Sequence, residues 1–443
     1  MAGRYYLETL GCPKNQVDSD KLEGTLRGQG YLPVASADQA DVVVVNTCAF
    51  IEAARQESID TILALADARR AGARLVVTGC LAERYGDELA RALPEVDLVA
   101  GFGVPLVEPG DAERIGVPVE LRRVPSFDLL NLPRPAAPAP WAYVKVAEGC
   151  DRRCGFCAIP SFRGAQRSRS AESVLAEIDA LGPGLREVVL VAQDLASWGL
   201  DRSGGAGRLA RRPGAPLPIV DLVRRVSARV ERVRLLYLYP SSLDDELVAA
   251  IVDTGVAYFD LSLQHVSRPL LKRMRRWGDG ARFLERIAAI RAASPEATLR
   301  SSFILGYPGE TEADHDELLE FIDEAQLDWA GFFTFSEEPG TFAATARAGD
   351  RVPAELALVR LRECAEVQDA ITARRRAELV GQSLHVLVDE PGQGRSHREA
   401  PEIDGIVHVP ARLEAGAVHE VVVTGAAGPD LWAEAVSPAR AAS

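Results

Sequence analysis

Ala142-Tyr143-Val144-Lys145-Val146-Ala147-Glu148-Gly149-Cys150-Asp151-Arg152-Arg153-Cys154-Gly155-Phe156-Cys157 opens as a short apolar run and ends as a cysteine loop. The run Ala142–Val146 predicts a β-strand, because apolar and β-branched residues bounded by glycine are a strand signal. It leads straight into C-x-x-x-C-x-x-C. Three thiolates so close in sequence can hold three irons of a cubane cluster and leave the fourth iron open to a ligand. A structural zinc site would need four ligands, and no fourth lies near this loop.

Outward from that loop the chain alternates. Strands are expected at Glu187–Ala192, Arg232–Tyr237, Tyr258–Leu263 and Thr298–Leu305, with helices at Ala171–Leu181, Asp244–Asp253, Gly280–Ala293 and Glu312–Ala325. Repeated βα units predict a full or partial barrel whose functional loops lie at the C-terminal ends of the strands. The cysteine loop occupies such an end. Gly199–Pro218, rich in Gly, Arg and Pro, is expected to be an exposed inserted loop. A helix of mixed charge, Pro353–Leu379, closes the unit and carries Cys364, expected to be a structural thiol.

Upstream, strands Arg4–Leu10, Asp41–Asn46 and Arg74–Thr78 alternate with helices Asp18–Gln29 and Ile51–Ala71, which predicts a parallel sheet. Cys12, Cys48 and Cys80 each follow one of these strands. The C-terminal ends of parallel strands share one edge, where ligands usually bind, so three thiolates can converge there. The competing reading is three buried cysteines acting as small hydrophobes. No G-x-G-x-x-G follows these strands, so dinucleotide binding is not indicated. Proline then accumulates up to Leu132-Pro133-Arg134-Pro135-Ala136-Ala137-Pro138-Ala139-Pro140, a stiff, extended linker.

At the far end, Ser383–Val388, Gly405–Val409 and Glu420–Gly425 are short strands between Gly, Pro and Asp, which suggests a small antiparallel barrel. Ten carboxylates face four arginines from residue 377 onward, a poor composition for binding phosphate. The whole chain of 443 residues carries a formal charge of −14, which argues against broad attraction to nucleic acid or anionic lipid. No apolar run is long enough to span a bilayer, and no apolar signal segment opens the chain, so a cytoplasmic protein with free thiols is expected. The expected division is residues 1–118, a linker at 119–140, a barrel at 141–376 and a terminal barrel at 377–443.

The cysteine loop, with Phe156 before its last cysteine, resembles the radical S-adenosylmethionine superfamily. There the open iron chelates the methionine amine and carboxylate, and one electron splits the sulfonium. The chain as a whole resembles the methylthiotransferases of that superfamily, with an N-terminal cluster domain, a radical barrel and a TRAM barrel. Thr9-Leu10-Gly11-Cys12-Pro13-Lys14-Asn15-Gln16-Val17-Asp18-Ser19 is similar to the opening of the RimO type rather than the tRNA-modifying MiaB type. Asn46-Thr47-Cys48, Thr78-Gly79-Cys80, Gln193-Asp194, Gln264-His265 and Ile304-Leu305-Gly306-Tyr307-Pro308-Gly309-Glu310 resemble further signatures of the family. Ser262 departs from it, standing where proline is usual.

The resemblance implies two 4Fe-4S clusters, one on Cys150, Cys154 and Cys157 and one on Cys12, Cys48 and Cys80, with S-adenosylmethionine as cofactor. It implies methylthiolation of an aspartate β-carbon in small-subunit ribosomal protein S-twelve, free or in the assembled subunit. An external electron donor and sulfur source are implied as further partners, and tRNA is disfavoured. Gln193, Asp194, Ile304 and Gly306 are candidates for cofactor contact, although polar strand ends are also turn formers. His265 is equally a candidate for a satisfied core histidine. Lys272, Arg273, Arg275 and Arg276 are expected to form a solvated helix face. A tRNA adenosine substrate and a non-catalytic iron–sulfur redox protein are the rival readings.

Overall fold

The computed structural model describes residues 3–104, 106, 128–202 and 217–436. The expected boundary at 118–119 and most of the Gly199–Pro218 loop lie outside the described residues.

The first domain is a five-stranded, wholly parallel sheet. Its strands are β1 (Arg4–Thr9), β2 (Leu32–Pro33), β3 (Val42–Thr47), β4 (Arg74–Gly79) and β5 (Leu98–Ala100), in the order β2-β1-β3-β4-β5. β3 is Val-Val-Val-Val-Asn-Thr and buried throughout, the pattern of a parallel strand covered on both faces. Helices α1 (Pro13–Gly28), α2 (Glu52–Ala68) and α3 (Cys80–Ala92) connect the strands. α1 begins well before the expected Asp18. Pro13 sits at its first turn, where a missing N–H costs nothing, and Asp18 is a buried interior residue rather than a cap.

The second domain has six parallel strands. β6 (Trp141–Lys145) follows the proline run, and a short β7 (Ala147–Glu148) pairs antiparallel with β8 (Arg167–Ser168). β9 (Glu187–Val191) and β10 (Arg232–Leu235) extend β6 into one three-stranded sheet. β11 (Tyr258–Gln264), β12 (Thr298–Leu305) and β13 (Trp329–Thr334) form another, joined to the first by a parallel bridge between Leu238 and Leu261. The result is a partial barrel. Helices Gly280–Ala293 and Glu312–Ala325 form as expected, the latter closed by a capping box of Thr311 and Asp314.

The proline run does not stand off as a free spacer. Lys21 of α1 donates to the carbonyls of Leu130 (2.6 Å) and Leu132 (3.2 Å), and Arg134 pairs with Asp20 at 2.7 Å. Gly24 lies so close to Pro133 that an added Cβ would stand 2.4 Å from its carbonyl oxygen. The linker is strapped to the first domain.

The long helix Ala354–Ala377 carries the chain into a closed five-stranded barrel of β14 (Ser383–Glu390), β15 (Gln393–Arg395), β16 (Val407–His408), β17 (Val418–Ala427) and β18 (Asp430–Ala435). It is antiparallel except where β16 meets β18 in parallel. The segment from Arg395 to Asp404 lies across the N-terminal ends of all six strands of the second domain. Pro401 accepts from Tyr143, Arg395 pairs with Glu187 (3.1 Å) and its carbonyl accepts from Arg232, Asp404 accepts from Tyr258 (2.6 Å) and pairs with Arg300, and Arg398 accepts from Trp329. Asp389, Glu399 and Asp404 are thus neutralised internally by Arg395, Arg376 and Arg300, so the acidic composition of this barrel overstates its outward field.

Candidate functional site

The C-x-x-x-C-x-x-C loop is fixed by its backbone. Gly149 turns at φ +78°, and a Cβ there would stand 2.2 Å from the Ala165 carbonyl, so only glycine lets the chain pass. Cys150 N–H then donates to Gly164 (3.1 Å), Gly155 N–H donates to Met274 (2.8 Å), and Gly155 accepts from Ala343 (2.7 Å). Arg276 Nη1 donates to the sulfur of Cys154 at 3.2 Å, and its Nη2 donates to the Ser262 carbonyl. Arg276 therefore leaves the expected solvated face and serves the cysteine loop. Burial pushes the Cys157 thiol up to about 12, and the charges of Cys154 and Cys150 add to the rise, so the three sulfurs feel one another.

The N-terminal trio also converges. Cys12 caps α1, Cys48 follows β3, and Cys80 opens α3. Gly11 (φ +95°) passes so close to Cys48 that a Cβ would stand 2.9 Å from its sulfur. Burial opposes ionisation of Cys12, yet Lys14 and Arg163 hold its thiol below the ordinary range. Burial pushes Cys48 up to about 12, with Cys80 and Cys12 adding to the effect. Cys80 is raised by burial too, against the pull of Arg163, which donates to its sulfur at 2.9 Å. Flanking cations and the amide of Asn15, 3.5 Å from Cys80, distinguish this trio from cysteines that merely fill a core.

None of these cysteines is in a disulfide. Among the described residues no three His, Cys, Asp or Glu side chains gather as tightly as a single metal ion requires. A cubane spaces its thiolates more widely than a mononuclear ion does, so a trio of mutually interacting thiols outside any disulfide fits a cluster.

A buried ionic bridge joins the trios. Arg163 Nη1 contacts Asp18 (3.0 Å) and Glu148 (2.9 Å), its Nη2 contacts Asn15 (2.8 Å) and Cys80, and Lys145 pairs with both Asp18 and Glu148. Burial works against the Glu148 carboxylate, but Arg163 and Lys145 hold it down to about 2. Asp18, Lys145, Glu148 and Arg163 carry no sequence signal of this role, since scattered charges look like surface until the two domains are docked. On the opposite side, Arg55 and Arg84 both reach Glu338 at 2.6 Å, so the first domain straddles the barrel mouth.

The remaining candidates separate. Gln193 donates to Glu148 at 2.7 Å, while its Oε1 is buried without a partner. Asp194 is committed to Arg152 (2.7 Å) and Ser197 (2.7 Å), steadying the loop after Cys150. Ile304 lies half-buried near the end of β12. Gly306 turns at φ +79°, its N–H held by Glu310, and a Cβ would stand 2.6 Å from that of Ala357. His265 is fully buried with Nδ1 accepting from Ser267 N–H at 3.1 Å, but its Nε2 is buried without a partner, so it is a core histidine that is satisfied on one side only. Ser262 N–H donates to the Leu238 carbonyl at 2.9 Å, a bond that proline could not supply.

Three family models match in succession: the Uncharacterized protein family UPF0004 over residues 4–101, the Radical SAM superfamily over 144–322 and the TRAM domain over 380–436. Among solved structures, the radical S-adenosylmethionine methyltransferase TsrM of Kitasatospora setae aligns at TM-score 0.48 and 15% identity, covering 77% of this chain and 74% of that one. Among curated relatives, "Ribosomal protein uS12 methylthiotransferase RimO" of Moorella thermoacetica is 42% identical over 90% of this chain and 91% of its own length. The protein of the same name from Anaeromyxobacter sp. (strain K) is 41% identical over 100% of this chain and 96% of its own. With such likeness from end to end, the chain belongs to the uS12 methylthiotransferase family of radical S-adenosylmethionine enzymes.

Proposed function

We propose that this enzyme transfers a methylthio group to the β-carbon of an aspartate in ribosomal protein uS12. Residues 1–118 and 141–376 hold one 4Fe-4S cluster each, on Cys12, Cys48 and Cys80 and on Cys150, Cys154 and Cys157. The linker 119–140 joins them, and residues 377–443 close the barrel from below. The observation that carries this reading is that Arg163 reaches both the sulfur of Cys80 in the first domain and Glu148, two residues before Cys150, in the second.

Replacing an unactivated C–H by C–S needs hydrogen removal and a sulfur source, which the two clusters and S-adenosylmethionine supply when bound. The chain's own residues hold and insulate them. Gly149 and Gly155 set the path of the first loop, and Arg276 and Arg163 place a positive charge on one sulfur of each trio. The unpartnered Gln193 Oε1 is a fitting acceptor for the cofactor's ammonium, Ile304 offers an apolar wall, and Asp194 and Gly306 shape the loops around it. Electrons and sulfur come from external donors. Among the described residues no helix is long and apolar enough to cross a membrane.

The test is incubation of reconstituted enzyme with S-adenosylmethionine, a reductant and sulfide, together with uS12, small subunits or tRNA separately. Mass analysis should find the added methylthio group on one aspartate of uS12. Modification of tRNA alone would overturn the proposal, and cofactor that stays intact would favour a non-catalytic iron–sulfur protein.

A further inference from the structure

Lys14 stands two residues beyond Cys12, and its ammonium crosses to the second domain, 3.5 Å from the ring centroid of Tyr237 just past β10. Tyr237 holds a left-handed backbone at φ 65°, and Gln264, at the end of the neighbouring β11, does the same at φ 74°. Such conformations cost non-glycine residues about 1–3 kcal/mol each and gather where ligands are clamped. Both lie at strand ends on the barrel mouth, where a binding surface would be expected.

Several of the other cations around the trios are committed. Arg163 and Lys145 share Asp18 and Glu148, Arg152 takes Asp194, Arg300 takes Asp260 and Asp404, and Arg276 takes Cys154 and the Ser262 carbonyl. Lys14 interacts with Tyr237, Cys12 and Arg163, and among the described residues it forms no salt bridge with a carboxylate. A half-buried ammonium resting on an aromatic face is stabilised from one side and open to an anion on the other.

The proposed reaction takes place one bond away from a carboxylate. Resting on that function, we infer that Lys14 binds the side-chain carboxylate of the substrate aspartate and is a specificity-determining residue that selects an acidic side chain at the barrel mouth. A neutral side chain, or a nucleobase, would leave the ammonium with the Cys12 thiolate as its sole anionic neighbour and gain nothing from it. Tyr237 fixes the ammonium from beneath, so the carboxylate is met at a defined height between the two trios.

The test is a binding cycle without turnover. Full-length enzyme carrying both clusters is mixed anaerobically with S-adenosylmethionine and no reductant, and titrated with uS12 or with uS12 whose target aspartate is replaced by asparagine. The native enzyme should prefer the aspartate form by about tenfold or more. Lys14→Met should bind both forms alike, and Lys14→Arg should keep most of the preference. Should Lys14→Met fail to hold iron, Lys14→Gln is read in the same cycle. Equal weakening toward both forms, or an intact preference with an altered absorption or reduction potential of the N-terminal cluster, would overturn the inference. If neither form of uS12 binds native enzyme while tRNA does, the proposed function itself has failed; an overturned Lys14 role with uS12 still bound and modified would leave that function standing.

Discussion

The guanidinium of Arg163 lies 2.9 Å from the sulfur of Cys80 and, through its other nitrogen, 2.9 Å from the carboxylate of Glu148, two residues before Cys150. One buried side chain thereby connects both cysteine trios and sets the approach of the two domains. Arg163→Met would leave Asp18 and Glu148 with Lys145 as their remaining cation. The expected loss is about 3–5 kcal/mol, read by chemical unfolding, because an uncompensated buried carboxylate is the costliest product of breaking such a network. Arg163→Lys restores charge without the planar fork and should fall between. Loss of a positive hydrogen bond to Cys80 should also move the N-terminal cluster to a more negative potential. A Met variant as stable as native, with an unmoved potential, would rule out both roles.

Iron counting separates the trios. The combined variant Cys150→Ala, Cys154→Ala, Cys157→Ala should retain about half of the native iron, as one of two equal clusters. The matching variant of Cys12, Cys48 and Cys80 should retain the other half. Loss of all iron from either variant, in protein that still melts cooperatively, would mean that the six thiols do not form two independent sites.

Gly79, immediately before Cys80, is a backbone constraint. Its φ is +91°, and an added Cβ would stand 2.3 Å from Asn46 Oδ1 and 2.6 Å from the backbone nitrogen of Thr47. Gly79→Ala should cost at least about 2 kcal/mol and lower the iron bound by the first domain while sparing the Cys150 cluster. Unchanged stability and unchanged iron would show that the strand end yields.

His265 gives the protein an acid-sensitive core. Burial pushes its imidazole down to about 4 despite the nearby charge of Asp314, with His315 and Arg360 reinforcing the fall. The unfolded chain, with an ordinary histidine near 6.5, binds the proton first, so stability is full above that value and declines as pH falls toward about 4. Below that the contribution stops changing. The decline should amount to roughly 2–4 kcal/mol, and His265→Asn, whose amide oxygen can still accept from Ser267 N–H, should flatten the dependence between pH 7 and pH 5. Parallel curves for the two proteins would refute it.

What could be read from sequence was what is local. Five of the six barrel strands follow from short apolar runs such as Glu187–Val191, the sixth, β13, does not stand out because Trp329–Thr334 is only partly buried, and the cysteine loop follows from spacing alone. β18 and the short β15 were not visible, because Asp430–Ala435 alternates weakly and Gln393–Arg395 has little apolar character. The helix at Ile159–Arg163 was also missed, since a five-residue element has no periodicity to detect. Arg276 shows the limit most plainly. Its neighbours Lys272 and Arg273 are exposed, and only the left-handed turn at Arg275 (φ 55°) redirects the next side chain toward Cys154. Arg163 and Lys14 act across a domain interface, which no local pattern encodes.

The segment from Arg395 to Asp404 acts as a stopper in the base of the barrel, touching every strand at its starting end. The end left uncovered by this stopper is the one overhung by the first domain and latched at Arg163 on one side and Glu338 on the other. The contacts that dock the first domain onto the barrel therefore also frame that entrance, and a change at Arg163 or Glu338 alters its outline along with the packing of the two domains.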